Sequence, residues 1–92
     1  MSKQTYVVEI HPSALKELAA VPKKQQRQLD RRIRALAQEP RPPTARPMSE
    51  KRFKGLWKLR SGEYRIIYQI IARRLIVLIV RIGNRRDVYK RR

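Results

Sequence analysis

Three residues near the end of the chain carry side chains that suit phosphate chemistry. Arg85, Arg86 and Tyr89 follow a long apolar run at residues 75–80, which predicts a strand that ends shortly before them. Guanidinium groups bind phosphate, and a phenol beside them can orient a hydroxyl group. The spacing indicates a site for RNA backbone chemistry at the edge of a sheet, and the alternative is a solvated basic tail.

A second set of polar residues interrupts the apolar strand pattern upstream. Arg65 and Gln69 share one face of a predicted strand that is otherwise largely apolar, where a charge is costly unless it faces a partner or a site. If Ser61 and Gly62 form a two-residue hairpin turn, Lys58 lies directly opposite Arg65. Two facing cations destabilise a sheet, so we favour a phosphate subsite over an accidental pairing.

The first half of the chain predicts a strand and a helical hairpin that would support these residues. Residues 6–10 alternate as a short strand, and Pro12 suits the first position of a helix over residues 13–20. Pro22 interrupts or ends that helix, and residues 23–38 carry the apolar stripe of a second one. Its many cations form a solvated face, or some of them touch nucleic acid.

The second half predicts a loop followed by strands. Four of the six prolines fall in residues 39–47, which indicates a surface loop. Residues 56–60, 63–71 and 74–82 read as strands, the last two apolar enough to be central in a sheet. The expected fold is α+β: an N-terminal strand, a helical hairpin and a mainly antiparallel three-strand meander in one small sheet. We expect one domain over residues 1–92.

The composition favours an acidic partner and excludes several chemistries. With 24 Lys and Arg against 7 Asp and Glu, the formal charge is +17, which attracts polyanions. There is no cysteine, and His11 is the only histidine, for which we expect a structural or capping role. The acids are scattered, so we expect neither a metal site nor a cofactor. No apolar stretch predicts a membrane span or a signal peptide, and we expect a cytoplasmic protein.

Two segments and the order of the predicted elements carry a resemblance to a known family. The segments are LWKLRSGEYRIIY at residues 56–68 and IGNRRDVY at residues 82–89. With them the chain resembles the RelE/ParE superfamily of toxin-antitoxin systems, most closely its RelE branch. The resemblance covers nearly the whole chain. It implies a messenger RNA endonuclease that acts in the ribosomal decoding site. It also implies a partner antitoxin that is encoded beside the toxin and wraps it.

The resemblance also implies a catalytic set, which consists of Lys58, Arg65, Arg85 and Tyr89. A ribose 2′-hydroxyl would attack the adjacent phosphate. Arg65 would stabilise the phosphorane oxygens, Arg85 would assist the leaving oxygen, and Lys58 with Tyr89 would deprotonate or orient the 2′-hydroxyl. The accompanying RNA-binding residues are predicted to be Lys54, Arg52, Arg60, Arg86 and Lys90.

Two other functions stay open on the sequence alone. The ParE branch shares the fold and is described as blocking DNA gyrase without cutting nucleic acid, and a plain basic RNA-binding protein would need only the charge. Tyr89 favours the nuclease. We expect Asp87 to pair with an arginine, and Trp57 and Phe53 to lie in the core or face the antitoxin, with base stacking as the alternative. The chain has Asn84 where some relatives carry histidine.

Overall fold

Two helices and five strands make up the part of the chain that the computed structural model describes, residues 5–84. Two short 3₁₀ turns, Lys51–Phe53 and Ala72–Arg74, lie between strands. The remaining elements are β1 (Val7–Ile10), α1 (Pro12–Ala19), α2 (Lys23–Ala35), β2 (Arg46–Pro47), β3 (Leu56–Ser61), β4 (Tyr64–Ile71) and β5 (Ile76–Asn84). No helix in residues 5–84 is long and apolar enough to cross a membrane.

The five strands form one mixed sheet in the order β1-β5-β4-β3-β2. β1 runs parallel to β5, whereas all other neighbours are antiparallel. The predicted α+β fold and the antiparallel meander of the last three strands are therefore confirmed. β4 and β5 lie inside the sheet, as their apolar character on both faces predicts.

Both helices contribute to a hydrophobic core on one face of the sheet. Leu29, Ile33 and Leu36 form the apolar stripe in and just after α2, and each is at most 2% exposed. They belong to the same buried cluster as Leu59 of β3 and Ile66 of β4. A smaller cluster on the opposite face joins two buried residues, Met48 and Ile67, to three partly buried ones, Phe53, Leu56 and Val80.

The ends of the helices follow local capping rules. His11 precedes α1, and its Nδ1 accepts a hydrogen bond from the backbone N–H of Ser13 at 3.1 Å, so the predicted capping role is confirmed. Pro12 occupies the first helical position, as predicted. α2 ends at Ala35, before the predicted Gln38. The backbone N–H groups of residues 36–38 donate hydrogen bonds to the carbonyl oxygens three residues earlier, which is the tighter 3₁₀ pattern.

Two features of the sheet differ from the sequence-based expectation. The β3–β4 turn is formed by Gly62 and Glu63, since Ser61 pairs with Tyr64, whereas Ser61 and Gly62 were expected to form it. Gly62 has a φ of 62°, which a glycine adopts readily. The Pro-rich segment contains β2, a strand of two residues that was not predicted; Pro47 is compatible with it because β2 lies at the sheet edge.

Tyr68 ties the centre of the sheet to the loop after α2. Its side chain is fully buried, and its hydroxyl donates a hydrogen bond to the carbonyl oxygen of Pro40 at 2.8 Å. Burial raises the pKa of Tyr68 to about 12, an effect that the nearby charge of Arg41 partly opposes. The phenol therefore stays protonated in the folded protein over the whole range in which an exposed tyrosine ionises.

We predict that Tyr68→Phe changes both the stability and its dependence on pH. Near neutral pH the variant should lose about 1 to 2 kcal/mol, because the Pro40 carbonyl loses its donor. The wild-type protein loses stability as the pH rises from about 10 to about 12, since only the unfolded chain then ionises this phenol. The stability gap between the two proteins should therefore narrow over that range.

Urea unfolding of both proteins at a series of pH values measures this difference. Titration of the lysines affects both proteins alike and cancels in the comparison. Parallel stability curves from pH 9 to pH 12 would show that Tyr68 does not carry the expected protonation linkage.

Candidate nucleic-acid interface

A basic groove of about 690 Å³ opens on the sheet beside the second, smaller apolar cluster. Five of its eight lining residues are cationic, and none is acidic. The lining residues are Arg32, Pro43, Thr44, Arg46, Pro47, Lys58, Arg60 and Arg65. They come from α2, the Pro-rich loop and strands β2 to β4, so the groove exists only once these elements are assembled.

Strand register places the cations of the groove opposite one another. Arg60 of β3 is directly paired with Arg65 of β4, and Arg46 of β2 is directly paired with Lys58 of β3. The expectation that Lys58 lies directly opposite Arg65 was wrong, because the turn is one residue further along and Lys58 pairs with Ile67. Lys58 and Arg65 still line the same groove as diagonal neighbours, at a Cβ separation of roughly 7 Å for such pairs.

The groove concentrates positive charge on side chains that are partly buried. The Nε atom of Arg65 is buried, and Lys58 is only partly exposed, so their charges are screened less than those of surface side chains. Like charges directly opposite each other destabilise a sheet. An anion with several oxygens, such as a phosphate, relieves this repulsion and accepts hydrogen bonds from several of the donors at once.

Two groove residues, Arg32 and Arg46, were absent from the sequence-based site. Arg32 lies on the predicted cationic face of the second helix, and Arg46 lies in the segment that the sequence predicts to be a loop. Pro43 and Pro47 line the groove with Arg46, and Pro47, which follows Arg46 directly, restricts the backbone of Arg46 to extended conformations. The sequence does carry one signal for Arg46: it stands directly before Pro47, and a proline is compatible with a strand at the edge of a sheet.

Of the residues predicted to bind RNA, only Arg60 lines the groove within residues 5–84. Arg52 and Lys54 are exposed on the turn before β3 and do not line it; the Arg52 guanidinium lies 5.4 Å from the centre of the Phe53 ring. The predicted residues Arg85, Arg86, Tyr89 and Lys90, together with Asp87, lie outside the described residues.

The aromatic side chains near the groove have structural contacts. Trp57 packs against the main core, and the Arg41 guanidinium lies 5.6 Å from its ring centre. Phe53 packs against the smaller cluster that contains Met48 and Ile67. Of the positions expected for these two residues, in the core or facing the antitoxin, the structure shows packing against the core clusters. Neither of them lines the groove.

The end of β5 is held beside the groove by a carboxylate from α1. Glu17 accepts a hydrogen bond from the backbone N–H of Ile82 at 2.8 Å and forms a 3.1 Å ion pair with Arg81. β1 pairs with β5 only as far as Ile79, so the Glu17 carboxylate serves as acceptor where no strand partner remains on that side. This role was not predicted, because the two partners are 65 residues apart in sequence.

The described part of the chain ends next to the groove. Gly83 of β5 is the direct partner of Arg65, and Asn84 is the partner of Tyr64. The segment that begins at Arg85 therefore starts two residues after the neighbour of a groove arginine. Within residues 5–84 no group of three or more His, Cys, Asp or Glu is placed to hold a metal ion.

The chain is similar in sequence to toxins of type II toxin-antitoxin systems. The family model described as "ParE toxin of type II toxin-antitoxin system, parDE" matches residues 8–89. A putative RelE-like toxin protein of Escherichia coli is 33% identical over 86 residues, which cover 91% of this chain and 90% of that protein.

Solved structures show the same fold. The archaeal RelE–RelB complex from Pyrococcus horikoshii contains a chain with a TM-score of 0.77 and 27% identity, covering 90% of this chain and 98% of that one. A chain of the RelBE2 toxin-antitoxin complex from Mycobacterium tuberculosis has a TM-score of 0.81 at 24% identity, covering 94% of this chain and 98% of that one.

We predict that Arg60→Gln stabilises the protein in the absence of a ligand. Removing one of two directly facing cations should raise the free energy of unfolding by roughly 0.2 to 1 kcal/mol at low ionic strength. The gain should shrink as salt is added, because Arg60 is exposed and its charge is screened.

Urea titrations at two salt concentrations test this, with Arg73→Gln as the matched control. Arg73 is also exposed, but it lies in the turn at the opposite end of β4. A destabilised Arg60→Gln protein, or an equal gain in the control, would show that the facing pair carries no repulsion.

Proposed function

The chain belongs to the ParE toxin family of type II toxin-antitoxin systems, within the RelE/ParE superfamily, and from this premise we propose that it is an endoribonuclease that cleaves messenger RNA. The observation that carries the proposal is the two pairs of facing cations across three strands, Arg60 with Arg65 and Arg46 with Lys58, in a groove whose lining has no carboxylate. Such a groove suits a phosphate that gains negative charge during the reaction.

The proposed reaction is an internal transfer at one phosphate of the RNA backbone. The 2′-oxygen bonds to the adjacent phosphorus, the bond from phosphorus to the 5′-oxygen breaks, and the products are a 2′,3′-cyclic phosphate and a 5′-hydroxyl. The 2′-hydroxyl loses a proton and the leaving 5′-oxygen gains one. Arg65 stabilises the charge on the phosphorane oxygens, and Lys58 with Tyr89 orients or deprotonates the 2′-hydroxyl.

Arg85 is proposed to assist the departure of the 5′-oxygen. The described part of the chain ends at Asn84, one residue after Gly83, which is the strand partner of the groove residue Arg65, and Arg85 is the next residue in the sequence. Glu17 supports this placement by fixing the end of β5 through Ile82. α1 would thus act as an anchor for the catalytic segment without touching the RNA.

The site depends mainly on positioning, since its lysine, arginine and tyrosine residues are of types that transfer protons poorly at neutral pH. Lysine, arginine and tyrosine as classes titrate far above pH 7, and the only histidine, His11, caps α1. A rate then has to come from electrostatic stabilisation and from an in-line arrangement of the reacting atoms. We propose that the ribosome supplies that arrangement by holding the messenger in its decoding site.

An antitoxin is the partner that completes the proposal. The similar chains from Pyrococcus horikoshii and Mycobacterium tuberculosis were solved in toxin-antitoxin complexes. The present chain carries a formal charge of +17 and exposes Val7 (59%) and Leu15 (53%), so an acidic segment with apolar side chains would suit its surface. The proposed setting is the cytoplasm.

Three substitutions test the proposed active site in a growth assay. We predict that Arg65→Ala, Arg85→Ala and Tyr89→Phe each relieve growth arrest after induction, because each removes a group that contacts the reacting phosphate or the 2′-hydroxyl. Arg73→Ala, the control at the far end of β4, should remain toxic. Full toxicity of all three variants at equal protein levels would refute the nuclease assignment.

Gyrase inhibition is the second candidate, and the match to the ParE family model favours it. The same induced cultures distinguish the two functions. New 5′ ends in messenger RNA within minutes indicate cleavage, whereas altered nucleoid morphology without new 5′ ends indicates gyrase arrest. A basic RNA-binding protein without activity would give neither result.

The dependence on the ribosome gives a separate prediction. Purified toxin should cut naked messenger slowly or not at all, and it should cut the same messenger readily when a ribosome with an empty decoding site holds it. The cleavage rates are compared at the same salt concentration, because binding by so basic a protein depends on salt. Equal rates would identify a self-sufficient ribonuclease.

A further inference from the structure

A second basic recess adjoins the groove, at the tip of the β3–β4 hairpin. It has a volume of about 250 Å³ and is lined by Gln28, Arg31, Arg32, Ser61 and Gly62. Arg32 lines both this recess and the groove, so the two adjoin at this side chain.

The side chains of the recess can bind an anion. Arg31 and Arg32 are exposed, and within residues 5–84 neither of them takes part in an ion pair. Asp30, the nearest acidic residue on α2, is bound to Arg34 at 2.9 Å. The amide of Gln28 adds a neutral donor, and the lining contains no carboxylate that would repel a phosphate.

The hairpin turn leaves room for a ligand to approach the backbone closely. A Cβ atom added to Gly62 would meet no atom within 4 Å, so the space above the turn is open. The lining also has no aromatic side chain on which a base could stack. The recess therefore suits the sugar-phosphate backbone better than a base.

We propose that this recess is a second phosphate subsite, in which Arg31 and Arg32 bind a backbone phosphate of the same RNA strand that is cleaved in the groove. The inference rests on the proposed function and adds the path of the substrate. Basic grooves that follow a single strand bind successive phosphates without regard to sequence. Arg32 is shared between the two subsites, and Arg31 belongs to the second one alone.

The test uses Arg31→Ala, because Arg32 also lines the groove. Binding of uncleavable 2′-O-methyl RNA is measured by fluorescence anisotropy at several salt concentrations, with one oligonucleotide of about three nucleotides and one of about twelve, which spans a typical single-strand site. Arg73→Ala, with the same loss of charge at the opposite end of β4, is the control.

With the longer RNA, Arg31→Ala should lower the slope of log affinity against log salt by roughly 0.7, the contribution of one phosphate on a single strand. With the shorter RNA, which occupies the groove alone, Arg31→Ala and Arg73→Ala should bind alike. Equal slopes for the two variants on the longer RNA, or an equal effect of Arg31→Ala on both lengths, would overturn the subsite.

These outcomes are independent of cleavage, because the RNA lacks the attacking hydroxyl. If Arg31→Ala behaves like the control while Arg65→Ala abolishes toxicity, the second subsite is wrong and the nuclease assignment stands. If Arg65→Ala, Arg85→Ala and Tyr89→Phe all remain fully toxic, the nuclease assignment fails whatever the binding slopes show.

Discussion

The alternation of side chains along β3 and β4 is the constraint on which the rest of the molecule depends. Leu59, Ile66 and Tyr68 pack beneath the helices, and successive side chains of a strand point to opposite faces. Arg60 and Arg65 must therefore lie together on the other face. A slip by one residue would bury the two arginines and expose the core, so the free energy of apolar packing holds the like charges in place.

The same alternation explains what the sequence could and could not predict about the groove. Moving the turn from Ser61–Gly62 to Gly62–Glu63 changes the partner of Lys58 from Arg65 to Ile67, a shift of two residues that leaves every side chain on its face. The shared face was therefore predicted correctly while the direct pairing was wrong. Ser61 resembled a turn residue, yet its side chain is buried, which favours a place in the strand.

The roles of residues that contact distant parts of the chain could not be predicted from the sequence. A cation on α2 reads as a solvated side chain until the helix is placed against the sheet, which hid the role of Arg32. Glu17 meets Ile82 across 65 residues, and no local pattern marks it. The strands other than β2, the first helix and the apolar stripe of α2 were predictable because alternation, capping and helical periodicity are local.

Under the proposed function, the charge of the groove would link substrate binding to inhibition. Its cations are brought together at a cost that the core offsets, and any ligand that places negative charge among Arg46, Lys58 and Arg65 recovers part of that cost. A phosphate does so, and so does a carboxylate from a protein partner. Under the proposed function, an antitoxin segment that enters the groove would stabilise the toxin and exclude RNA through the same contacts. The repulsion that prepares the site for RNA would then also make it open to inhibition by an acidic peptide.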